Sequence, residues 1–285
     1  MATFLQSTRQ SEIAVRSKHR RPRGLTLVEL LMVSAVMAIL ATTLAALAST
    51  VQVANQQQFG RGLAVQHGQV AIERMERAIQ DAHANEQFPG FIIITETVGG
   101  STYPDTLVVW KPDGEPTAPT GMPRVNELVV FTPASDDPTR LVEIRDSSNN
   151  SQVPALSNNA EWQYLIDMLK NSASYGVESN IAVLTDLLRV AAATSQVGGP
   201  AGKRGCVRFE QALRPSDAQW QAYKAGSTSW GSLPWAQGIY GATVGQRQAL
   251  CRIELQLRPG DIDSHEKQLA IPFLGSGAIY YQLER

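Results

Sequence analysis

The chain has 285 residues, of which 43% are hydrophobic and 18% charged, and a formal net charge of −1. This composition excludes a disordered or collagen-like chain and offers no basic footprint for nucleic acid. Two cysteines are too few for a disulfide scaffold or an all-cysteine zinc site, and the length allows one or two domains. The near-zero charge averages three unlike parts. Residues 1–24 carry six basic side chains (Arg9, Arg16, Lys18, Arg20, Arg21 and Arg23) against one acid, Glu12. Leu25 to Gly60 holds a single charge, Glu29, and from Arg61 onward there are 19 basic and 24 acidic residues.

The apolar run starts at Leu25 and reaches Leu47 with only small polar interruptions. Its stretch from Leu30 to Leu47 spans roughly 27 Å as a helix at about 1.5 Å per residue, close to the ~30 Å of a bilayer core. The basic leader is expected to stay in the cytoplasm, with everything after the run outside. Three readings compete: a secretory signal peptide ending at Ala46-Leu47-Ala48 before Ser49, an uncleaved single-pass anchor, and one that gives Glu29 a purpose. An acid inside a membrane helix costs about 2.5–3.5 kcal/mol at the centre and less near an end, so it marks function by default.

The register Gly24-Leu25-Thr26-Leu27-Val28-Glu29-Leu30-Leu31 behind a basic leader resembles the class III signal of type IV pilins and type II secretion pseudopilins. The resemblance implies that a prepilin peptidase cuts after Gly24 and N-methylates Leu25, and that the apolar segment is kept as the shaft of the mature subunit. It also carries the family's glutamate over to Glu29. The freed ammonium at Leu25 would then be neutralised by Glu29 of a neighbouring subunit, since either charge alone is costly in an apolar medium. The match departs from the family in three ways. Leu25 stands where Phe or Met is commoner, no proline lies between Pro22 and Pro89, and the leader is long.

The resulting division is a leader over 1–24, a transmembrane half of the helix over 25–52, an amphipathic half over 53–88 and a head over 89–285. In the amphipathic half, Val65, Gly68, Ile72, Met75, Ile79 and Ala82 form one helical stripe. Gly60, Gly62 and Gly68 each weaken a helix by about 1 kcal/mol relative to Ala, which predicts a softened region, and Pro89-Gly90 ends the helix. Strands are expected at Phe91–Thr97, Thr106–Lys111, Glu127–Thr132 and Arg140–Arg145. The last two resemble strands of the larger J-type minor pseudopilins. After a Ser/Asn-rich loop over 146–159, two short helices are predicted. One buries Trp162, Leu165, Ile166 and Leu169, and the other Ile181, Leu184, Leu188 and Ala191. A flexible loop over 198–203 follows. Further strands are expected at Cys206–Leu213, Leu250–Arg258, Gln268–Phe273 and Ala278–Leu283, with a helix at Ser216–Ala225 and a long loop over 226–247. The fold class is α+β and pilin-like: a long N-terminal helix packed on a head of antiparallel sheets with short helices.

Chemical motifs are sparse. Gly202-Lys203 lacks the rest of a phosphate loop, and neither a nucleophile elbow nor a His-Glu-x-x-His pair occurs. Asp261, Asp263 and Glu266 beside His265 are oxygen ligands of the kind calcium takes, and a solvated turn is the stronger reading. Cys206 and Cys251 lie in an oxidising compartment on the class III reading. A bond between them would close a 45-residue loop worth about 4 kcal/mol in the chain-entropy model. Strand alternation puts Cys206 on the polar face with Arg208 and Glu210, and Cys251 on the apolar face with Ile253 and Leu255, so a disulfide and two free thiols stand level. Trp230, Trp235 and Tyr240 read as a loop folded on the core before they read as a binding surface.

The function expected is that of a minor pilin-like subunit without enzymatic activity, cofactor or metal, at or near the tip of a type II secretion pseudopilus or type IV pilus. Size argues for "minor", because a head well over 170 residues packs poorly in a tight array. Glu29 counts against the K-type tip subunit, leaving the J-type pseudopilin or the W-type minor pilin. The implied partners are the prepilin peptidase/N-methyltransferase, other pilins and the inner membrane, with the head periplasmic and no nucleic acid. The alternatives are an anchored or secreted protein with an enzymatic head, and an adhesin on a pilin shaft.

Overall fold

A computed structural model describes residues 26–98, 101–171, 180–192, 202–236, 243–259 and 270–283. Helix α1 runs Leu27–Gln80. The chain divides into two compact units, residues 1–54 and 55–285. In the first unit, α1 is apolar and exposed along its whole length. In the second, α1 turns one stripe inward: Gly60, Ala64, Gly68, Ala71, Ile72, Met75, Ala78 and Ile79 are buried. The stripe is as predicted except that Ala64 replaces Val65, which is largely exposed. Helix α1 ends at Gln80, short of the Pro89 stop, because the chain is drawn into a sheet. The His83 N–H donates to the Trp110 carbonyl at 2.9 Å, and Asn85 Oδ1 accepts the N–H groups of Gln87 and Phe88.

The larger sheet is an antiparallel meander of five strands in order: β1 (Phe91–Val98), β2 (Ser101–Trp110), β3 (Leu128–Pro133), β4 (Leu141–Arg145) and β5 (Asn180–Thr185). Its central strands read as unbroken apolar runs because both faces are covered. Phe91, Leu107, Val109, Val129, Phe131 and Leu141 join the α1 stripe in one core. Ile92, Ile94, Val108, Val130, Val142 and Ile144 face α2 (Asn159–Lys170), which buries Trp162, Leu165, Ile166 and Leu169 as predicted. Asn158 caps α2, its Oδ1 accepting the Glu161 N–H.

The second predicted helix does not form. Asn180–Thr185 pairs with β4 instead, Ile181 opposite Ile144 and Val183 opposite Val142, and Val190–Ala192 is a short strand, β6, paired with β7 (Lys203–Gly205). The spacing of Ile181, Leu184 and Leu188 imitates a helix. However, β-branched Ile181 and Val183 sit two apart on one face, and an adjacent sheet edge rewards that period. Of the 198–203 loop, only Gly202 and Lys203 lie among the described residues, and Lys203 opens β7.

The smaller sheet has the order β10-β9-β8, with β8 at Val207–Arg214, β9 at Gln246–Leu257 and β10 at Ile271–Gln282. Between β8 and β9, α3 (Asp217–Lys224) starts at a Ser216–Gln219 capping box. The inner residues of this sheet, Phe209, Cys251, Ile253, Leu255 and Ile279, belong to the same core as the α1 stripe. The two predicted C-terminal strands are one. Gly275-Ser276-Gly277 reads as a break in sequence, but both glycines are close-approach points for α1. A Cβ on Gly275 would stand 2.5 Å from Ile72 Cγ2, and one on Gly277 would stand 2.9 Å from Ile79 Cβ. Between them the Ser276 N–H donates to Glu76 Oε1 at 2.8 Å. Helix α1 is continuous through Gly60, Gly62 and Gly68. Gly68 is a seat for the Phe273 ring, which a Cβ would meet at 2.6 Å.

Gly277→Val should therefore overpack the seam and cost about 1–3 kcal/mol, or more where the backbone cannot shift. Ser276→Val, on the other face of β10, should cost much less. Thermal unfolding of the full chain in detergent measures both.

Candidate functional site

The site that the sequence singles out lies at the start of α1. Gly24 and Leu25 fall outside the described residues, and the description begins at Thr26. Thr26 caps the helix. Its N–H and hydroxyl donate to Glu29 Oε2 at 3.0 and 3.2 Å, and its Oγ1 accepts the Glu29 N–H at 3.3 Å. This is a reciprocal capping box, which satisfies backbone donors that a helix start leaves open. The signature, Thr-x-x-Glu ahead of an apolar run, stands in the sequence as Thr26-Leu27-Val28-Glu29 and was missed because the acid was read only as an intermolecular partner. Glu29 thus has an intramolecular role at the first turn of α1.

The next turns suit an apolar solvent. Helix α1 is the one helix among the described residues long and apolar enough to cross a membrane. Its hydroxyls fold back onto backbone carbonyls: Ser34 to Leu31 at 2.9 Å, Thr42 to Ile39 at 2.8 Å, Thr43 to Leu40 at 2.9 Å, and Ser49 and Thr50 to Ala46 at 2.8 and 2.9 Å. Side-chain donors satisfied in this way are compatible with a bilayer interior. No large side chain from Leu27 to Val53 is buried, so this surface is available to lipid or to other helices.

In the second unit, α1 is tied to the larger sheet by charge as well as by packing. Arg74 Nε and Nη2 grip Glu143 of β4 at 2.7 and 3.0 Å, and Arg145 adds a third bond at 3.0 Å. Burial pushes the Glu143 carboxyl up, but the bonds from Arg74 and Arg145 outweigh it and hold the group below the usual range. Glu127, expected to open a strand, lies in a short 3₁₀ turn. It accepts from Trp110 Nε1 at 3.0 Å, the Thr117 N–H at 2.6 Å and the Arg124 N–H at 3.1 Å, and so organises the Pro/Gly-rich loop.

In the head, a cavity of about 430 Å³ is lined by Glu96, Asp167, Lys170, Lys203 and Arg204, with no His or Cys in its wall among the described residues. Arg204 Nη1 bridges Glu96 at 2.8 Å and buried Asp105 at 2.7 Å, and Lys170 reaches Glu96 at 3.4 Å. Burial raises the Asp105 pKa. It also pushes Glu96 up, yet Lys170 and Arg204 outweigh it and bring Glu96 down. This is the pattern of a structural ion network. Among the described residues no cluster of His, Cys, Asp and Glu is arranged to hold a metal, and Asp261, Asp263 and Glu266 lie outside them.

Of the two readings of Cys206 and Cys251, a disulfide and two free thiols, the structure has the free thiols. Cys251 pairs across the ladder with Gln211, whereas the Cys206 carbonyl accepts the Gln256 N–H. The two cysteines stand five residues apart along the strands, roughly 16 Å at about 3.3 Å per residue, and point to opposite faces. A disulfide needs Cα atoms within about 7 Å. Burial pushes the Cys251 thiol up to about 12 and raises that of Cys206. The aromatic loop is core. Trp230 packs edge-on to Tyr223 with ring centroids 5.2 Å apart, and Trp235 Nε1 donates to Gln248 at 3.3 Å. Tyr240 lies outside the described residues.

Residues 19–45 match the family model of the prokaryotic N-terminal methylation motif. No curated protein and no solved structure matches the chain. A prepilin-type motif running into a long apolar helix and an α+β head of antiparallel sheets supports a type IV pilin-like or pseudopilin subunit. The motif suggests a structural subunit and implies processing by a prepilin peptidase and assembly with other pilins. The single apolar helix fits a single-pass membrane anchor.

Two outcomes follow from the geometry. Maleimide labelling of the native chain should modify Cys206 and spare Cys251, with both labelled after unfolding, whereas a Cys206–Cys251 bond would leave neither reactive in either state. Because the Glu143 pKa is depressed in the folded chain, its stabilisation is present at neutral pH and is lost as pH falls through that lowered value. Glu143→Gln should lower the unfolding midpoint at pH 7, and the gap from the unsubstituted chain should close on acidification.

Proposed function

We propose that the chain is a minor pilin-like subunit of a type II secretion pseudopilus or a type IV pilus, working at or near the tip. The observation that carries this is the match over residues 19–45 in register with Gly24, Thr26 and Glu29 and followed by a long apolar helix. A prepilin peptidase cuts between Gly24 and Leu25 and methylates the new amino terminus. Residues 25–52 then hold the subunit in the inner membrane, with the leader side cytoplasmic and the head, residues 89–285, periplasmic. The basic leader supports that orientation. The large head supports a subunit used in few copies over one that tiles a tight helical array, and the J-type pseudopilin and W-type minor pilin remain the resemblances favoured.

The capping box gives Glu29 two duties in this scheme. Within one chain it closes the first turn of α1. Between chains its charge neutralises the ammonium at Leu25 of a neighbour, which favours the assembled state over separate charges in lipid. Release of the carboxylate from Thr26 would accompany that exchange.

Mass spectrometry of the mature chain should find N-methyl-Leu25 at the amino terminus. A start at Ser49 would mean ordinary secretion, and an intact leader a simple anchor. Glu29→Gln and Glu29→Ala separate the two duties, because glutamine serves in a capping box and carries no charge. Both variants should be cleaved and inserted, and both should enter fibres poorly. Normal incorporation of Glu29→Gln would refute charge pairing and leave only the cap.

A further inference from the structure

We draw no further inference here: the strongest candidate, the cavity of about 430 Å³ that Lys170 and Arg204 wall at the junction of β1, α2 and β7, carries none, because the Arg204 nitrogens without a hydrogen bond among the described residues, Nε and Nη2, are closed off from solvent and so are not offered to a ligand in it, and nothing in the structure shows what would occupy it.

Discussion

The folded part of this chain depends on one seam, where the inward stripe of α1 meets both sheets. Ile72, Met75 and Ile79 are shared between the larger sheet and the smaller one, so a single helix face completes a core that neither sheet closes by itself. The closeness of the seam is set by Gly275 and Gly277 on β10, where there is no room for a Cβ, and by Gly68 on α1, which receives Phe273. Glu76 and Arg74 flank the stripe and bond outward to Ser276 and Glu143, so hydrogen bonds fix the register that packing alone would leave free to slide.

That arrangement explains a division of labour along one continuous helix. Up to Val53 its large apolar side chains are all exposed and its hydroxyls are turned back on the backbone, which suits an apolar surrounding. From Gly60 onward the apolar residues are confined to one stripe. The change of pattern, from apolar all round to amphipathic, is what a segment moving from lipid to a protein core requires. At its first turn, Thr26 and Glu29 close the helix without outside help, so the acid that looks out of place in an apolar run has a local partner before any neighbour arrives.

Charge in the described head is used to join one element to another. The most conspicuous ionic group, Arg204 with Glu96, Asp105 and Lys170, joins β1, β2, α2 and β7 at one point. Specificity in a structural subunit is expected on its surfaces.

Local patterns carried much of this structure. The α1 stripe, the buried face of α2, the capped helix after Pro215 and the opposite orientation of the two cysteines all follow from residue spacing, because each depends on neighbours a few positions away. The Gly24–Glu29 motif was equally legible, and so in principle was its capping box. What sequence alone could not decide was every choice settled by a distant partner. Ile181 to Leu188 had a helical spacing, yet β4 offered an edge and the segment became a strand. Gly275 and Gly277 looked like a break, yet they keep β10 whole because α1 lies across them. Cys206 and Cys251 were both expected in strands, but only the β8–β9 register sets them five residues apart. In each case a local preference worth a fraction of a kcal/mol per residue met a tertiary contact worth more, and the contact prevailed.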